Sequence, residues 1–115
     1  MIYFMQDKER ILIPSTSGTV LTLSTNHSTI NTEDALQMQD ELRGLLRALA
    51  PNIKTIHLEI SEVLAMSSRG FESLLLLHQG CVEKGVALTV SKLTPIFHRL
   101  LSRMGFLRLL KIEEA

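Results

Sequence analysis

The sequence has few of the residues that bind nucleic acid. Its 115 residues include no tryptophan, and aromatic residues make up only 4%. Twelve Lys and Arg are balanced by twelve Asp and Glu, so the formal net charge is zero. Because nucleic-acid binding normally needs a clustered cationic surface and often stacking aromatics, the composition argues against a nucleic-acid partner.

Cysteine and long apolar runs are also scarce. The single cysteine, Cys81, excludes an internal disulfide and has no cysteine partner for a metal site, which favours a reducing compartment. The four consecutive leucines at 74–77 fall far short of the ~20 residues that a membrane span requires. Residues 7–10 are all charged and follow a short apolar stretch, unlike a signal peptide. We therefore expect a soluble, cytoplasmic protein without a membrane span.

Chain length sets the number of domains. At 12.9 kDa, folding should bury roughly two-thirds of the surface of the unfolded chain, enough for one core and too little for two. Hydrophobic residues make up 45% of the chain, and no low-complexity segment or internal repeat is visible. The sequence predicts a single domain over residues 1–115.

Strand and helix patterns alternate along the chain. Apolar runs at 1–4 and 11–13 precede a Ser- and Gly-rich turn at 14–18, and strands are predicted at 19–24, 54–60 and 86–90. Helices are predicted after a cap at Asn31 or Thr32, from about Phe71 to Gly85, and from Thr94 and Pro95 to Gly105. This order predicts a small α/β domain with a mixed sheet, antiparallel at one edge, and with helices mainly on one face.

The histidines and the cysteine show no catalytic or metal-binding pattern. No HExxH motif, paired metal spacing or Gly-rich phosphate loop occurs among or around His27, His57, His78 and His98. His57 and His98 fall at positions typical of solvated residues, and Cys81 lacks an activating neighbourhood. We therefore expect no enzymatic activity, no metal and no cofactor.

The junction before the second helix, Ser67-Ser68-Arg69-Gly70, is the most informative site. One serine there could simply cap the helix by accepting hydrogen bonds from first-turn amides. Alternatively, the junction could be a phosphorylation switch, because a phosphate at a helix N-terminus meets free N–H groups and the positive end of the helix dipole. The pattern alone leaves both interpretations open.

The leucine run inside the second helix predicts a binding surface. Four successive residues cover more than one face of a helix, so the leucines at 74–77 cannot all point into a one-sided core. We expect Leu76 or Leu77 to stay exposed or to contact a partner. The alternative is that Leu76 packs against a neighbouring element.

Several segments together resemble the STAS domain family, which includes bacterial anti-sigma factor antagonists and the cytosolic tails of sulfate transporters. The similarity covers residues 54–112 and lies in Leu58-Glu59-Ile60-Ser61-Glu62-Val63, Met66, Ser67-Ser68-Arg69-Gly70, Phe71, Leu74, Gly85, Leu88, Pro95, Leu100 and Gly105-Phe106. Ser67 stands where the family usually has Asp, Arg69 stands where it has Ser or Thr, and Gly70 matches its Gly.

The resemblance implies a regulatory module in a partner-switching pathway. Ser68 falls on the serine that a cognate ATP-binding serine kinase phosphorylates in antagonists, and that kinase is also the anti-sigma factor; a serine phosphatase is the other implied partner. Ser67 is a second candidate acceptor. The implied partner-binding residues are Ser67, Ser68, Arg69, Gly70, Leu76 and Leu77.

Two further options remain open from the sequence. The departures at Ser67 and Arg69 also fit an unswitched scaffold subunit of a stress-sensing or lipid-transport assembly. The edge strands of so small a sheet could, in addition, mediate a homodimer.

Overall fold

The computed structural model describes residues 10–112, with side chains through Leu110. The strands are β1 (Ile13–Ser17), β2 (Val20–Ser24), β3 (Thr29–Ile30), β4 (Thr55–Glu59), β5 (Ala65–Met66), β6 (Ala87–Val90) and β7 (Lys111–Ile112). Within this part of the chain, the helices are α1 (Thr32–Arg47), α2 (Ser68–Lys84) and α3 (Pro95–Arg103), and a 3-10 turn (Phe106–Arg108) follows α3.

Over residues 10–112, the main sheet has five strands in the order β1-β2-β4-β6-β7. β1 pairs antiparallel with β2, and every other neighbouring pair is parallel, with Leu21 opposite Ile56 and Ile56 opposite Leu88. The predicted mixed sheet with an antiparallel hairpin at one edge is therefore confirmed.

Helices cover one face of this sheet. The face that packs on the helices carries Leu21, Leu23, Ile56, Leu58, Leu88 and Val90, all buried, whereas the residues between them, Thr22, His57 and Thr89, are half-buried. The helices also contact each other, since the rings of Phe71 in α2 and Phe97 in α3 stack with centroids 5.9 Å apart. This confirms the predicted placement of the helices mainly on one face.

The first hairpin differs from the sequence prediction. Pro14 to Ser17 form most of β1, where a turn was predicted, and the turn itself contains Gly18, whose φ of +60° is in the left-handed region. Proline is tolerated because β1 is an edge strand among the described strands and pairs there with β2 on one side only. The apolar run predicted at residues 1–4 lies outside the described residues.

The three shortest strands were not predicted, because two residues are too few to show a period. β3 and β5 form a small parallel sheet of their own, in which Leu64 N–H donates to the Ser28 carbonyl at 2.7 Å. Ser67 N–H continues this ladder by donating to the Ile30 carbonyl at 2.8 Å. The small sheet therefore fixes the chain directly before α1 and α2 and sets where α2 begins.

Candidate functional site

Ser67 caps α2. Its backbone is extended, with φ −70° and ψ 166°, and its Oγ accepts from Gly70 N–H at 3.3 Å. Its carbonyl accepts from the Gly70 and Phe71 amides at 2.9 and 3.3 Å. The capping interpretation is therefore confirmed for Ser67, whose hydroxyl oxygen accepts a hydrogen bond from a first-turn amide.

Ser68 is the first residue of α2 and is exposed. Within residues 10–112, neither its hydroxyl nor its backbone N–H has a hydrogen-bond partner, and the Arg69 N–H also lacks one. These amides are among the groups that every helix leaves unsatisfied at its N-terminus. The junction thus presents a free hydroxyl beside free N–H donors at the positive end of the helix dipole.

Gly70 is buried because Met66 of β5 crosses directly over it. A Cβ on Gly70 would overlap Cγ of Met66 and would lie 2.7 Å from its Sδ. Only glycine allows this close approach without movement of the methionine. The contact holds the first turn of α2 against the small sheet and fixes the position of Ser68.

Ser73 is a site residue that the sequence patterns did not single out. Its buried Oγ donates to the Arg69 carbonyl at 3.1 Å and lies 3.3 Å from the Ala35 carbonyl of α1. These contacts fasten the first turn of α2 to α1. The signal in the sequence was its spacing, because Ser73 lies four residues before Leu77 and so shares the side of the helix that faces the core.

Charges at the junction are exposed and only loosely paired. An Arg69 guanidinium nitrogen lies 3.6 Å from a Glu72 carboxylate oxygen, and both side chains are more than half exposed. Such a surface pair contributes little stability. Arg69 is therefore available to a new anion nearby, and Glu72 is four residues from Ser68 on the same side of the helix.

The structure corrects the prediction for the leucine run. Leu77 is only 1% exposed and, with Leu74 and Cys81, forms the core stripe of α2, so its predicted exposure was wrong. Leu76 is half-buried against the core, which agrees with the alternative. Leu75, not Leu76 or Leu77, is the exposed leucine of the run, at 36%.

A different set of side chains forms the solvent side of α2. Ser68, Glu72, Leu75, Gln79 and Val82 follow one another at spacings of four, three, four and three, so they share one face, which we call the outer face of α2. All five are exposed, and Val82 is 66% exposed. Ser68 therefore lies at the end of a surface with two apolar side chains.

The groups that could support catalysis lie elsewhere in the described chain. Burial raises the pKa of the Cys81 thiol to about 11, which keeps it protonated and unreactive near neutral pH. His57 Nδ1 lies 2.7 Å from Thr89 Oγ1 and its Nε2 3.4 Å from a Glu59 oxygen, on the sheet face away from the helices. Among the described residues, no three His, Cys, Asp or Glu side chains are grouped to hold a metal ion.

Two observations decide the family. The strand, the serine-bearing junction and α2 have the geometry expected from the sequence resemblance, and a family model of the STAS domain matches residues 5–115. The chain belongs to the STAS domain family. A comparison with curated protein sequences finds no match. No helix of this STAS domain within residues 10–112 is long and apolar enough to cross a bilayer.

Solved STAS structures share its fold at low sequence identity. TM1081 of Thermotoga maritima, a candidate anti-sigma factor antagonist, has a TM-score of 0.77 at 17% identity, covering 90% of this chain and 86% of its own. A sulfate transporter family protein of Wolinella succinogenes has a TM-score of 0.70 at 22% identity, covering 82% and 75%.

SpoIIAA, an anti-sigma factor antagonist of Bacillus, is similar in an unphosphorylated and a phosphorylated form. The unphosphorylated form gives a TM-score of 0.68 at 10% identity, covering 90% of this chain and 88% of SpoIIAA. The phosphorylated form gives 0.67 at 9%, covering 90% and 91%. These values establish a common fold.

Proposed function

We propose that this STAS domain is a regulatory binding module of the anti-sigma factor antagonist type, switched by phosphorylation of Ser68. The observation that carries the proposal is the difference between the two serines: the Ser67 hydroxyl caps α2, whereas the Ser68 hydroxyl is exposed and has no partner among the described residues. SpoIIAA, which shares the fold, has been solved in a phosphorylated form.

A phosphate on Ser68 would act through charge. It adds about −1.5 to −2 at neutral pH, next to the free amides of Ser68 and Arg69, which stabilise it in place. The new charge sits at one end of the outer face, beside Glu72. A partner that covers this face would have to desolvate both charges, so phosphorylation would release the partner without unfolding the domain.

The proposed docking surface joins the junction to the outer face of α2. Ser67, Ser68, Arg69 and Gly70 form its first turn, and Leu75 and Val82 supply exposed apolar area further along. Leu76 lies at the margin, and Leu77 is buried and takes no part. The proposed partners are an ATP-binding serine kinase that also acts as the anti-sigma factor, and a serine phosphatase. The proposed location of the domain is the cytoplasm.

Phosphate mapping tests the proposed site. Incubation with the candidate kinase and ATP, followed by mass spectrometry, should place the phosphate on Ser68. The Ser68→Ala variant should remain unlabelled, while Ser102→Ala, at another exposed serine outside the docking surface, should be labelled like the wild type. Labelling of Ser68→Ala at the wild-type level would refute the assignment to Ser68.

A second candidate is a scaffold subunit whose binding does not depend on phosphorylation. Arg69 and Ser67 replace two residues typical of the switched members, and the Wolinella sulfate transporter family protein shares the same fold. If the domain is a scaffold, its Ser68→Ala and Ser68→Asp variants should bind the complex equally well, with or without ATP. The switch predicts that Ser68→Asp binds more weakly.

A further inference from the structure

The zero net charge conceals an uneven distribution of charge along the chain. Residues 84–112 contain six Lys and Arg and no Asp or Glu. Residues 10–83 contain eight Asp and Glu against five Lys and Arg. The last third of the described chain, which includes α3 and the 3-10 turn, is therefore strongly cationic, while the preceding part is acidic.

The arginines of this region point away from the core. Phe97 and Leu101 of α3 are fully buried. Arg99 and Arg103, on the opposite side of the helix, are exposed, and so is Arg108 in the 3-10 turn that contacts α3. We call Arg99, Arg103 and Arg108, with the apolar side chains among them, the cationic face.

No carboxylate within the described residues neutralises this face. Arg99, Arg103 and Arg108 form no ion pair there, whereas Arg43 and Arg69 on α1 and α2 have Asp40 and Glu72 at 3.6 Å. Guanidinium groups bind carboxylates through two parallel hydrogen bonds, which makes free arginines well suited to an acidic partner.

Exposed apolar side chains accompany the arginines. Ile96 is 53% exposed, Met104 48% and Leu109 42%. Along the chain, Ile96 lies three residues before Arg99, and the other two directly follow Arg103 and Arg108. Arg and Met are enriched at protein interfaces, where a few apolar anchors and charged groups provide most of the affinity. This combination fits a protein surface with both carboxylates and apolar groups.

We propose that the cationic face docks an acidic segment of a partner protein, as a second binding surface besides the Ser68 junction. Nucleic acid fits less well, because Phe97 is buried and Phe106 half-buried, so neither ring is presented for base stacking. A bilayer also fits less well, because the continuous apolar stripe of α3 is used by the core and only separate exposed apolar side chains remain to contact lipid.

The test uses a labelled peptide of alternating acidic pairs and single leucines, with fluorescence anisotropy as the readout. Wild-type protein should bind it, and more weakly as salt rises. The triple variant R99E/R103E/R108E should lose at least about tenfold in affinity. The matched control R43E/R47E/K54E reverses three cations outside the face and should change affinity less than about twofold. An Ile96→Ser/Met104→Ser variant should also bind more weakly, since a purely ionic attraction would leave its affinity unchanged.

Several results would overturn the assignment. Equal losses in the two triple variants would mean a diffuse charge effect and no defined face. Tighter binding to a single-stranded oligonucleotide, or to vesicles containing phosphatidylglycerol, than to the acidic peptide would identify another class of partner. A salt-sensitive dimer, seen by light scattering and dissociated by the cationic-face variant alone, would assign the face to a second copy of this chain. None of these outcomes depends on phosphorylation of Ser68.

Discussion

Two adjacent serines differ in what their hydroxyls can do. Ser67 has an extended backbone, and its Oγ accepts a hydrogen bond from the Gly70 amide. Ser68 is the first residue of the helix, and its side chain is exposed to solvent. The sequence could predict that one serine caps α2 but could not decide which one, because that depends on the backbone register set by Ile30 and Met66. The assignment of the phosphate acceptor rests on this difference of one residue.

Capping energetics separate the two serines. Ser67→Ala should lower the free energy of unfolding by about 1 kcal/mol, because a first-turn amide loses its acceptor. Ser68→Ala should change it by less than about 0.5 kcal/mol, since no hydrogen bond among the described residues is lost. Urea unfolding of both variants measures the contrast, with Ser67→Asp as the control that keeps the cap. Equal losses would contradict the assigned roles.

The contact between Gly70 and Met66 can be tested with a double-mutant cycle. Gly70→Ala should destabilise the domain by about 1–3 kcal/mol, because the new Cβ forces Met66 to move. In a Met66→Ala background, the atoms that clash are absent, and the cost of Gly70→Ala should largely disappear. If the two changes were simply additive in thermal or urea unfolding, the proposed clash would not be the cause.

Cys81 predicts a stability change at alkaline pH. Burial raises the pKa of its thiol from 9.0 to about 11, so the folded state retains a proton that the unfolded state releases. The stabilisation from the neutral thiol is complete below pH 9 and is lost as the pH rises through about 11. The free energy of unfolding should therefore fall more steeply over this window in the wild type than in Cys81→Ala. Parallel pH profiles would contradict this prediction.

At the scale of elements, α2 has one face in the core and the opposite face in solvent. The sequence predicted the helix and its C-terminal Gly85, whose φ is +67°. It could not predict the phase of the helix, meaning which leucines face the core, because four leucines follow one another. The phase is set by packing: Ser73 hydrogen-bonds toward α1, which turns Leu74 and Leu77 inward and Leu75 outward. Strands of two residues, such as β3 and β5, were beyond prediction because their pairing is made entirely by distant segments.

The phase of α2 predicts opposite effects for two leucines two positions apart. Leu77→Ala should cost about 2–5 kcal/mol of unfolding free energy, as expected for a fully buried leucine. Leu75→Ala should cost less than about 1 kcal/mol but should weaken binding to the kinase, because it removes apolar area from the outer face. Paired unfolding and binding titrations distinguish the two effects. A large stability loss for Leu75→Ala would contradict the assigned phase.

At the scale of the whole molecule, the fold was the most predictable property. The alternating elements and the segments around Ser67 to Gly70 were sufficient for the α/β class and the STAS family, because long periodic segments depend mainly on their own side chains. The net charge, in contrast, gave no indication of how the charged residues are distributed along the chain. The net charge of zero averages over acidic stretches and the cationic face, so it does not describe what the cationic face attracts.

The central claim is that a phosphate on Ser68 controls partner binding without unfolding the domain. The most direct measurement is the affinity of the serine kinase for the Ser68-phosphorylated protein, compared with unmodified protein and with Ser68→Ala. We predict that phosphorylation lowers this affinity at least about 100-fold, through charge and desolvation, while Ser68→Ala binds like the unmodified protein and all three melt at similar temperatures. Undiminished binding of the phosphorylated protein would contradict the account.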